Sequence, residues 1–181
     1  SLVPYAGLNT SYRVGDDPKV VSQNVCDLKL AAGIHDGRIV TMRQVHGDQI
    51  VEVKDKKLKE AGEADGMVTG ESDIFLAVLT ADCVPLLFVA PKQRLAAAVH
   101  AGWRGTLAGI AEKAVQRFKT NYQVEAADLQ VALGPSIGSC CYEVKEDVSG
   151  PLMRKWGRLT TPSIFIRDSK TYVGLRRLNR D

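Results

Sequence analysis

Three side chains of types that bind metals or act as nucleophiles lie at predicted strand ends. His46 in "RQVHGD" and His100 in "AVHAGW" each close an apolar run beside a glycine, and Cys83 interrupts the run "LTADCVPLLF". Strand ends and the loops that leave them are where α/β folds place reactive groups. We therefore expect these three side chains to meet in space. The third histidine, His35, lies in the polar loop "GIHDG", where a solvated side chain is expected.

Two imidazoles and one thiolate, with a fourth position left to water, form a catalytic rather than a structural zinc arrangement. Such an ion lowers the pKa of its bound water to about 7, which makes hydroxide available at neutral pH. The spacings between the three residues are long, and no short ligand motif constrains them. A simpler interpretation is that the histidines make structural hydrogen bonds and that Cys83 is a buried thiol.

The same side chains allow chemistry without a metal. Cys83 could act as a nucleophile with His100 as its base, and Asp82 could orient the imidazole. A reactive thiolate needs a depressed pKa, which a neighbouring histidine or a metal ion supplies. The residues alone leave a metal site and a cysteine hydrolase both open.

The segment "GWRGT" precedes the most regular helical pattern of the chain and is a candidate anion site. A helix N-terminus presents unpaired backbone N–H groups and a partial positive charge. We expect the helix to begin at Gly105–Thr106, where Arg104 adds a guanidinium suited to phosphate. In the alternative, Thr106 only caps the helix and Arg104 is a surface charge.

Several other loop residues have no decisive interpretation on their own. Asn9, which follows "YAGL", is a candidate substrate contact, and Asp65 in "AGEADGMVT" is a loop acid. The segment "GPSIGSCCYEV" is typical of a turn, and its backbone amides could also line a pocket.

The helices that must position these residues follow from capping and periodicity. A first helix is predicted in "DDPKVVSQNVCDLKLAAG", with Asp17 as N-cap, Pro18 at the first helical position and Gly33 at the stop. A second helix is predicted from apolar residues at helical spacing, which are Leu107, Ile110, Ala111, Ala114, Val115 and Phe118.

Strands are predicted around these helices. "RIVTMRQV" and "QIVEVK" are joined by the short turn "HGD", and "VPLLFVA" and "RLAAAVHAG" by the tight turn "PKQ". The segments "VPLLFVA", "RLAAAVHAG" and "IFLAVLTA" are apolar at odd and even positions alike. This pattern indicates strands that are covered on both faces. "LQVALGPSIG" is a further strand. This alternation predicts one layered α/β/α domain over residues 1–181, built around a mixed β-sheet.

Composition excludes several classes of function. The net charge is only +3 and the basic residues are scattered, whereas a nucleic-acid-binding face is clustered and basic. No run approaches the roughly 18 apolar residues that a membrane span needs. The four cysteines are too sparse for a disulfide-rich secreted protein, so we expect free thiols and a cytoplasmic location.

Taken together, five segments closely resemble one protein family: "RQVHG", "EADGMVT", "LTADCVPLLF", "AVHAGWRGT" and "GPSIGSCCYEV". The family was long labelled polyphenol oxidase or laccase-like, and its members are now described as purine nucleoside phosphorylases with adenosine deaminase activity. "PYAGLNTSYRVGDDPKVVSQN" is similar to its N-terminal part, so the resemblance covers nearly the whole chain.

The resemblance implies that His46, Cys83 and His100 bind one catalytic zinc ion, with Asp82 helping to hold or tune Cys83. It also implies phosphorolysis of adenosine, inosine, guanosine and methylthioadenosine, and deamination of adenosine to inosine. Arg104, with the helix start at Gly105–Thr106, is our own candidate for the phosphate site. We expect a monomer or a weak homo-oligomer whose small-molecule partners are purine nucleosides and phosphate.

The older laccase label is weakened by the histidine count. Multicopper centres are ligated mainly by imidazoles, and this chain has three histidines. A single Cu²⁺ substituting in the zinc site would still allow weak phenol oxidation. A non-catalytic protein that keeps a structural metal is a further alternative. Family members extend beyond both ends of such a chain, so we expect parts of both ends, including a final helix and strands, to be absent.

Overall fold

The computed structural model describes residues 7–12, 14–35, 38–157 and 163–180. The chain divides into two compact units, residues 1–37 and residues 38–181. The first unit contains helix α1 (Pro18–Ala31), and every strand among the described residues lies in the second. One domain over the whole chain remains a prediction.

Helix α1 begins and ends where capping rules place its boundaries. Asp17 is the N-cap, and its side chain accepts a hydrogen bond of 2.8 Å from the backbone N–H of Lys19. Pro18 occupies the first helical position, where its missing N–H costs nothing. Gly33 follows the helix with a φ of +69°, a left-handed conformation that glycine adopts without strain. The predicted first helix is confirmed.

The second unit is built from eleven strands and four α-helices among its described residues. In chain order these are β1 (Arg38–Arg43), β2 (Ile50–Glu52), β3 (Glu60–Glu63), β4 (Gly66–Thr69), β5 (Ile74–Leu76), β6 (Val84–Ala90), β7 (Leu95–Ala101), α2 (Trp103–Leu107), α3 (Ile110–Tyr122), β8 (Gln130–Leu133), β9 (Glu143–Val144), α4 (Glu146–Trp156), β10 (Ile164–Arg167), β11 (Lys170–Val173) and α5 (Leu175–Leu178).

The central sheet has five strands in the order β2-β4-β7-β6-β8. Strands β2 and β4 run parallel, and the other neighbours pair antiparallel. The β6–β7 hairpin is paired along its length, from Val84 opposite Ala101 to Ala90 opposite Leu95. The structure confirms the mixed α/β fold and the tight turn between these two strands.

Helix α3 buries its predicted apolar face against one side of this sheet. Ile110, Ala114 and Phe118 are almost fully buried, and the Phe118 ring lies 6.2 Å from that of Phe88 on β6. Each large apolar side chain removed from water in this way contributes about 1.5–3 kcal/mol. This core holds β6 and β7 rigid, which fixes the strand ends that carry the candidate site.

The other side of the sheet is covered only in part within the second unit. Successive residues of a strand point to opposite faces. Val68 of β4 therefore joins the core beneath α3, whereas Met67 packs with Val40 and Met42 of a second, three-stranded sheet in the order β3-β1-β5. Leu87 and Val89 on β6 remain 46% and 40% exposed. Burial of β6 on both faces was therefore a wrong prediction.

Two predicted strand arrangements are also wrong. Strands β1 and β2 do not form a hairpin: β1 pairs with β3 and β5, and β2 pairs with β4. The predicted strand "IFLAVLTA" ends at Leu76. Beyond it, the Gln44 side chain replaces a strand neighbour, because its amide exchanges two hydrogen bonds of 2.8 Å with the backbone of Leu79.

A third sheet, in the order β10-β11-β9, lies near the end of the chain. Among the described residues, none of the helices combines the length and the apolar character that crossing a membrane requires.

Candidate metal centre

His46, Cys83 and His100 converge on one point. One ligand atom from each lies within 4.8 Å of the other two, and among the described residues this is the one group of three or more His, Cys, Asp or Glu found with metal-binding geometry. Exposure falls from His46, which is exposed, through the half-buried Cys83 to His100, which is only 2% exposed. The cluster therefore opens to solvent on one side.

The β6–β7 hairpin places two of the three side chains. His100 is the penultimate residue of β7 and lies opposite Pro85. Cys83 lies in the loop directly before β6. Its apolar neighbours indicated a strand that Cys83 interrupts, but the strand begins only at the next residue, Val84. Because Val84 pairs with Ala101, the open end of the hairpin brings Cys83 and His100 to the same edge of the sheet.

His46 comes from the loop that follows β1. Its backbone φ is +60°, a left-handed conformation that is uncommon for a residue with a side chain. The loop is held by Asp65, whose carboxylate accepts hydrogen bonds from the backbone N–H groups of Val45 (3.2 Å), His46 (3.0 Å) and Gly47 (2.7 Å). These bonds offset the cost of the unfavourable backbone conformation.

Asp65 also fixes the orientation of His100. Its Oδ1 lies 2.7 Å from His100 Nδ1, and its side chain is fully buried. Since a carboxylate with three backbone donors acts as an acceptor, Nδ1 carries the hydrogen and Nε2 keeps its lone pair free. A carboxylate that holds the far nitrogen of a ligating histidine is the common outer partner of a metal site.

Asp65 is the residue of the site that sequence reasoning left unassigned. It lies directly before β4, and β4 pairs with β7 so that Gly66 lies opposite Val99, next to His100. An acid before one strand and a histidine at the end of another become partners only through this sheet order. The pattern "EADG" carries no such information by itself.

Gly102 leaves the space in which the three side chains meet. A Cβ built on it would lie 2.9 Å from Cδ2 of His46, 3.2 Å from Sγ of Cys83 and 3.7 Å from Cε1 of His100. Its φ of −74° is open to any residue, so the need for glycine here is one of space. The cluster is therefore packed around a backbone position that has no side chain.

Electrostatics oppose a free thiolate at Cys83. Burial raises the pKa of the Cys83 thiol, and the negative charges of Asp82 and Asp65 raise it further. Asp82 therefore does not activate Cys83 as a thiolate, although its backbone oxygen anchors the loop through a 3.0 Å bond from the N–H of Ile137. Burial also lowers the pKa of His100, which keeps its imidazole neutral, as metal binding requires.

The anion site predicted at "GWRGT" is built differently from expectation. Helix α2 begins at Trp103 with Gly102 as N-cap, so the predicted start at Gly105–Thr106 is wrong. Thr106 is buried, its N–H bonds to the oxygen of Gly102 at 2.8 Å, and its hydroxyl accepts a 2.8 Å bond from Asn179. Gly105 is buried as well, with room for no side chain because the carbonyl oxygen of Gly47 lies too close.

Arg104 is the exposed member of that segment. Its guanidinium lies 4.3 Å from the ring centroid of Trp103, a cation–π contact that limits its motion. The helix is interrupted by Gly109, whose φ of +77° separates α2 from α3. Asn9, in the first unit, donates hydrogen bonds from its side-chain amide to the nearby residues Ser11 and Asp16.

Tyr142 is a further polar residue near the cluster. Burial raises the pKa of its hydroxyl first, and the charges of Cys83 and Asp82 raise it further, while Arg104 lowers it. The Tyr142 hydroxyl therefore stays protonated at neutral pH. Its segment, "GPSIGSCCYEV", is typical of a turn, and no signal in the sequence singles out Tyr142.

Comparisons with known proteins relate this chain to one family of enzymes. A family model described as multi-copper polyphenol oxidoreductase laccase matches residues 1–181. Purine nucleoside phosphorylase YlmD of Geobacillus stearothermophilus is 39% identical over 153 residues, which cover 80% of this chain and 56% of that protein. A purine nucleoside phosphorylase of Deinococcus radiodurans is 34% identical over 184 residues, covering 99% of this chain and 68% of that protein. This chain thus spans roughly half to two thirds of these relatives.

Solved structures are similar over nearly the whole chain. The crystal structure of YlmD from Geobacillus stearothermophilus is 34% identical with a TM-score of 0.87, and the match covers 96% of this chain and 67% of that one. The hypothetical protein YfiH of Bacillus licheniformis is 31% identical with a TM-score of 0.89, and the match covers 99% of this chain and 71% of that one.

Proposed function

Because this chain belongs to the multi-copper polyphenol oxidoreductase laccase family, whose curated relatives are named purine nucleoside phosphorylases, we propose that it is a metal-dependent purine nucleoside phosphorylase. The reaction joins phosphate to the ribose of adenosine, inosine, guanosine or methylthioadenosine and releases the base. We further propose that it deaminates adenosine to inosine. The observation that carries the proposal is the cluster of His46, Cys83 and His100 with its Asp65 clamp.

The donor set fits one metal ion. Two imidazoles and one thiolate suit zinc, and the three protein ligands found among the described residues are the number that catalytic sites combine with one open position. Because Gly102 has no side chain, the side chains of the three candidate ligands have room to approach one another. Zinc at this position would supply a Lewis acid and water activated at neutral pH. The cluster is too small for a multicopper centre, whereas a single Cu²⁺ could replace zinc in it.

In this proposal, residues of the chain itself bind the phosphate and transfer the proton that deamination requires. We assign phosphate binding to Arg104, because it is exposed on the helix that follows Gly102 and its guanidinium packs on the ring of Trp103. We also assign to the Tyr142 hydroxyl, which its raised pKa keeps protonated, a hydrogen bond donated to the phosphate. In deamination, a water oxygen bonds to C6 of adenine and the C6–N bond breaks. The exposed Asp82 can take a proton from that water and give it to the amino group, which leaves as ammonia.

Product analysis of the full-length protein tests the proposal. After incubation with adenosine and phosphate, adenine plus ribose-1-phosphate would show phosphorolysis, and inosine or hypoxanthine would show deamination. The metal-dependent account expects both to stop when a chelator removes the ion, and to return when zinc is added. Turnover that is indifferent to complete metal removal would contradict it.

One further candidate is a copper-dependent polyphenol oxidase, which the family's description favours. Oxidation of a phenolic dye by copper-loaded protein, faster than phosphorolysis by zinc-loaded protein, would support it. A metal-free cysteine hydrolase is less favoured, since burial and two nearby acids raise the pKa of the Cys83 thiol. If the protein is instead non-catalytic and its metal is structural, the purified protein should contain the metal and show no turnover of adenosine with phosphate.

A further inference from the structure

A second cluster of thiols lies outside the candidate metal centre. Cys140 and Cys141 are adjacent in the loop between β8 and β9, and both are exposed. Their sulfur atoms lie 3.1 Å apart, in mutual hydrogen-bonding contact. Neither residue is one of the three clustered side chains, and the proposed phosphorolysis uses neither. The pair is therefore a nucleophilic group without a role.

Arg167 holds a positive charge beside this pair. It donates a 2.9 Å hydrogen bond to the carbonyl oxygen of Cys140. Its guanidinium also lies 4.3 Å from the ring centroid of Tyr172, and that ring stacks on Phe165 at 5.7 Å. The arginine is thus fixed from two directions. Cys140 raises the pKa of the Cys141 thiol, and the positive charge of Arg167 partly offsets this rise in favour of the reactive thiolate.

The spacing of the two sulfurs selects the kind of partner. Adjacent Cα atoms are about 3.8 Å apart, well below the roughly 4.4–6.8 Å that disulfides span. With bonds of about 2.3 Å, as in zinc thiolates, one atom bridging sulfurs 3.1 Å apart has an S–X–S angle of about 85°. A tetrahedral ion needs the sulfurs about 3.8 Å apart, and a linear one about 4.6 Å. The pair therefore suits a pyramidal, trivalent atom with bond angles near a right angle.

We propose that Cys140 and Cys141 form a chelating site for thiophilic trivalent compounds of the arsenite type, separate from the His46–Cys83–His100 cluster. With a monosubstituted arsenic oxide, both S–H bonds break and two S–As bonds form. The arsenic oxygen leaves as water with the two thiol protons, so no oxidant or reductant is needed. One compound binds per chain.

The acid–base balance of the pair fits a stepwise reaction. The pKa of the Cys141 thiol is raised, because it shares a hydrogen bond with Cys140 and feels that neighbour's negative charge, while Arg167 lowers it. The two sulfurs therefore do not ionise together. One thiolate attacks first, and the second sulfur closes the ring as its proton leaves with the oxygen.

Phenylarsine oxide is the probe, and mass spectrometry of the intact protein is the readout. We expect the wild-type chain to keep one phenylarsenic group in the presence of excess monothiol and to lose it to a dithiol. Cys140→Ser and Cys141→Ser should each weaken binding about a hundredfold, because the second bond no longer forms within the molecule. Cys26→Ser removes an exposed single cysteine and is the matched control, with binding unchanged.

Two results would overturn the proposal. One is wild-type retention of the arsenical in both the Cys140→Ser and Cys141→Ser variants, and the other is equal loss in Cys26→Ser. Thermal unfolding of each variant checks that the fold survives. Arg167→Gln provides a second test, since we expect the same stoichiometry with slower capture at neutral pH. The assay reads bound arsenic, so its outcome is independent of any purine phosphorolysis.

Discussion

Asp65→Asn is the most informative single change, because it keeps the size of the side chain and alters only its hydrogen bonding and its charge. The carboxylate accepts four bonds: those from the N–H groups of Val45, His46 and Gly47, and the one from His100 Nδ1. A carboxamide has one acceptor oxygen, so its NH₂ group must face at least one of these donors.

The size of the effect follows from burial. Asp65 is 0% exposed, so water cannot replace a bond that is lost. Each buried donor left without an acceptor costs about 1–3 kcal/mol, and one such loss is the minimum here. Loss of the outer partner of a ligating histidine also weakens metal binding, typically by about 10–100-fold. We therefore expect lower metal affinity together with a lower free energy of unfolding.

Competition with a chelator of known affinity measures the first effect, and urea unfolding of metal-free protein measures the second. Glu63→Gln is the matched control, since Glu63 lies two residues away, is exposed and pairs only with Arg43 among its described ion pairs. Metal affinity within twofold of wild type in Asp65→Asn would refute the reasoning that Asp65 orients His100.

Three further predictions concern the space at Gly102, the proposed phosphate contact of Arg104 and the ionisation of Tyr122. Gly102→Ala places a Cβ 2.9 Å from the His46 ring, so metal affinity should fall at least tenfold by chelator competition, while Gly7→Ala, in open space, leaves it unchanged. Arg104→Ala should raise the KM for phosphate about tenfold or more in steady-state assays, and Arg154→Ala, on the exposed side of α4, should not; an unchanged KM removes the assignment. Burial raises the pKa of Tyr122 to about 12. Its folded pKa exceeds its unfolded value, so its contribution to stability is complete below about pH 10 and is lost as pH rises towards 12. Urea unfolding should show that loss, and Tyr122→Phe should reduce it.

The candidate metal ligands could be found from the sequence because their residue types are rare and lie beside strand ends. Three histidines in the whole chain leave few combinations, and two of them end apolar runs. The hairpin from Val84 to Ala101 could be read from two apolar runs and a short turn. Convergence of Cys83 and His100 then follows from local pairing alone.

The misread features depend on contacts between distant parts of the chain. Asp65 becomes a partner of His100 only because β4 lies beside β7. The run after Leu76 has a strand-like composition, yet Gln44 satisfies the backbone of Leu79 with its side chain instead of a ladder. Neither the sheet order nor such a side-chain substitute is visible in hydrophobic periodicity.

The second predicted helix is two helices in the structure, for a more local reason. Apolar spacing from Leu107 to Phe118 is continuous across Gly109, so periodicity alone joins α2 to α3. The backbone at Gly109 instead adopts a φ of +77°, which ends one helix and precedes the next. Helix α2 itself begins earlier than predicted, at Trp103, with Gly102 as its N-cap.

The most direct test of the central claim is the metal-to-protein ratio of the full-length protein, purified without added metal, beside that of its His46→Ala variant. If His46, Cys83 and His100 grip a single ion, elemental analysis should find about one zinc per wild-type chain and little in the variant. His46 has no necessary part in a cysteine–histidine pair, so the comparison also separates the two chemistries. Wild-type protein free of metal, or a variant that retains its full complement, would contradict the account.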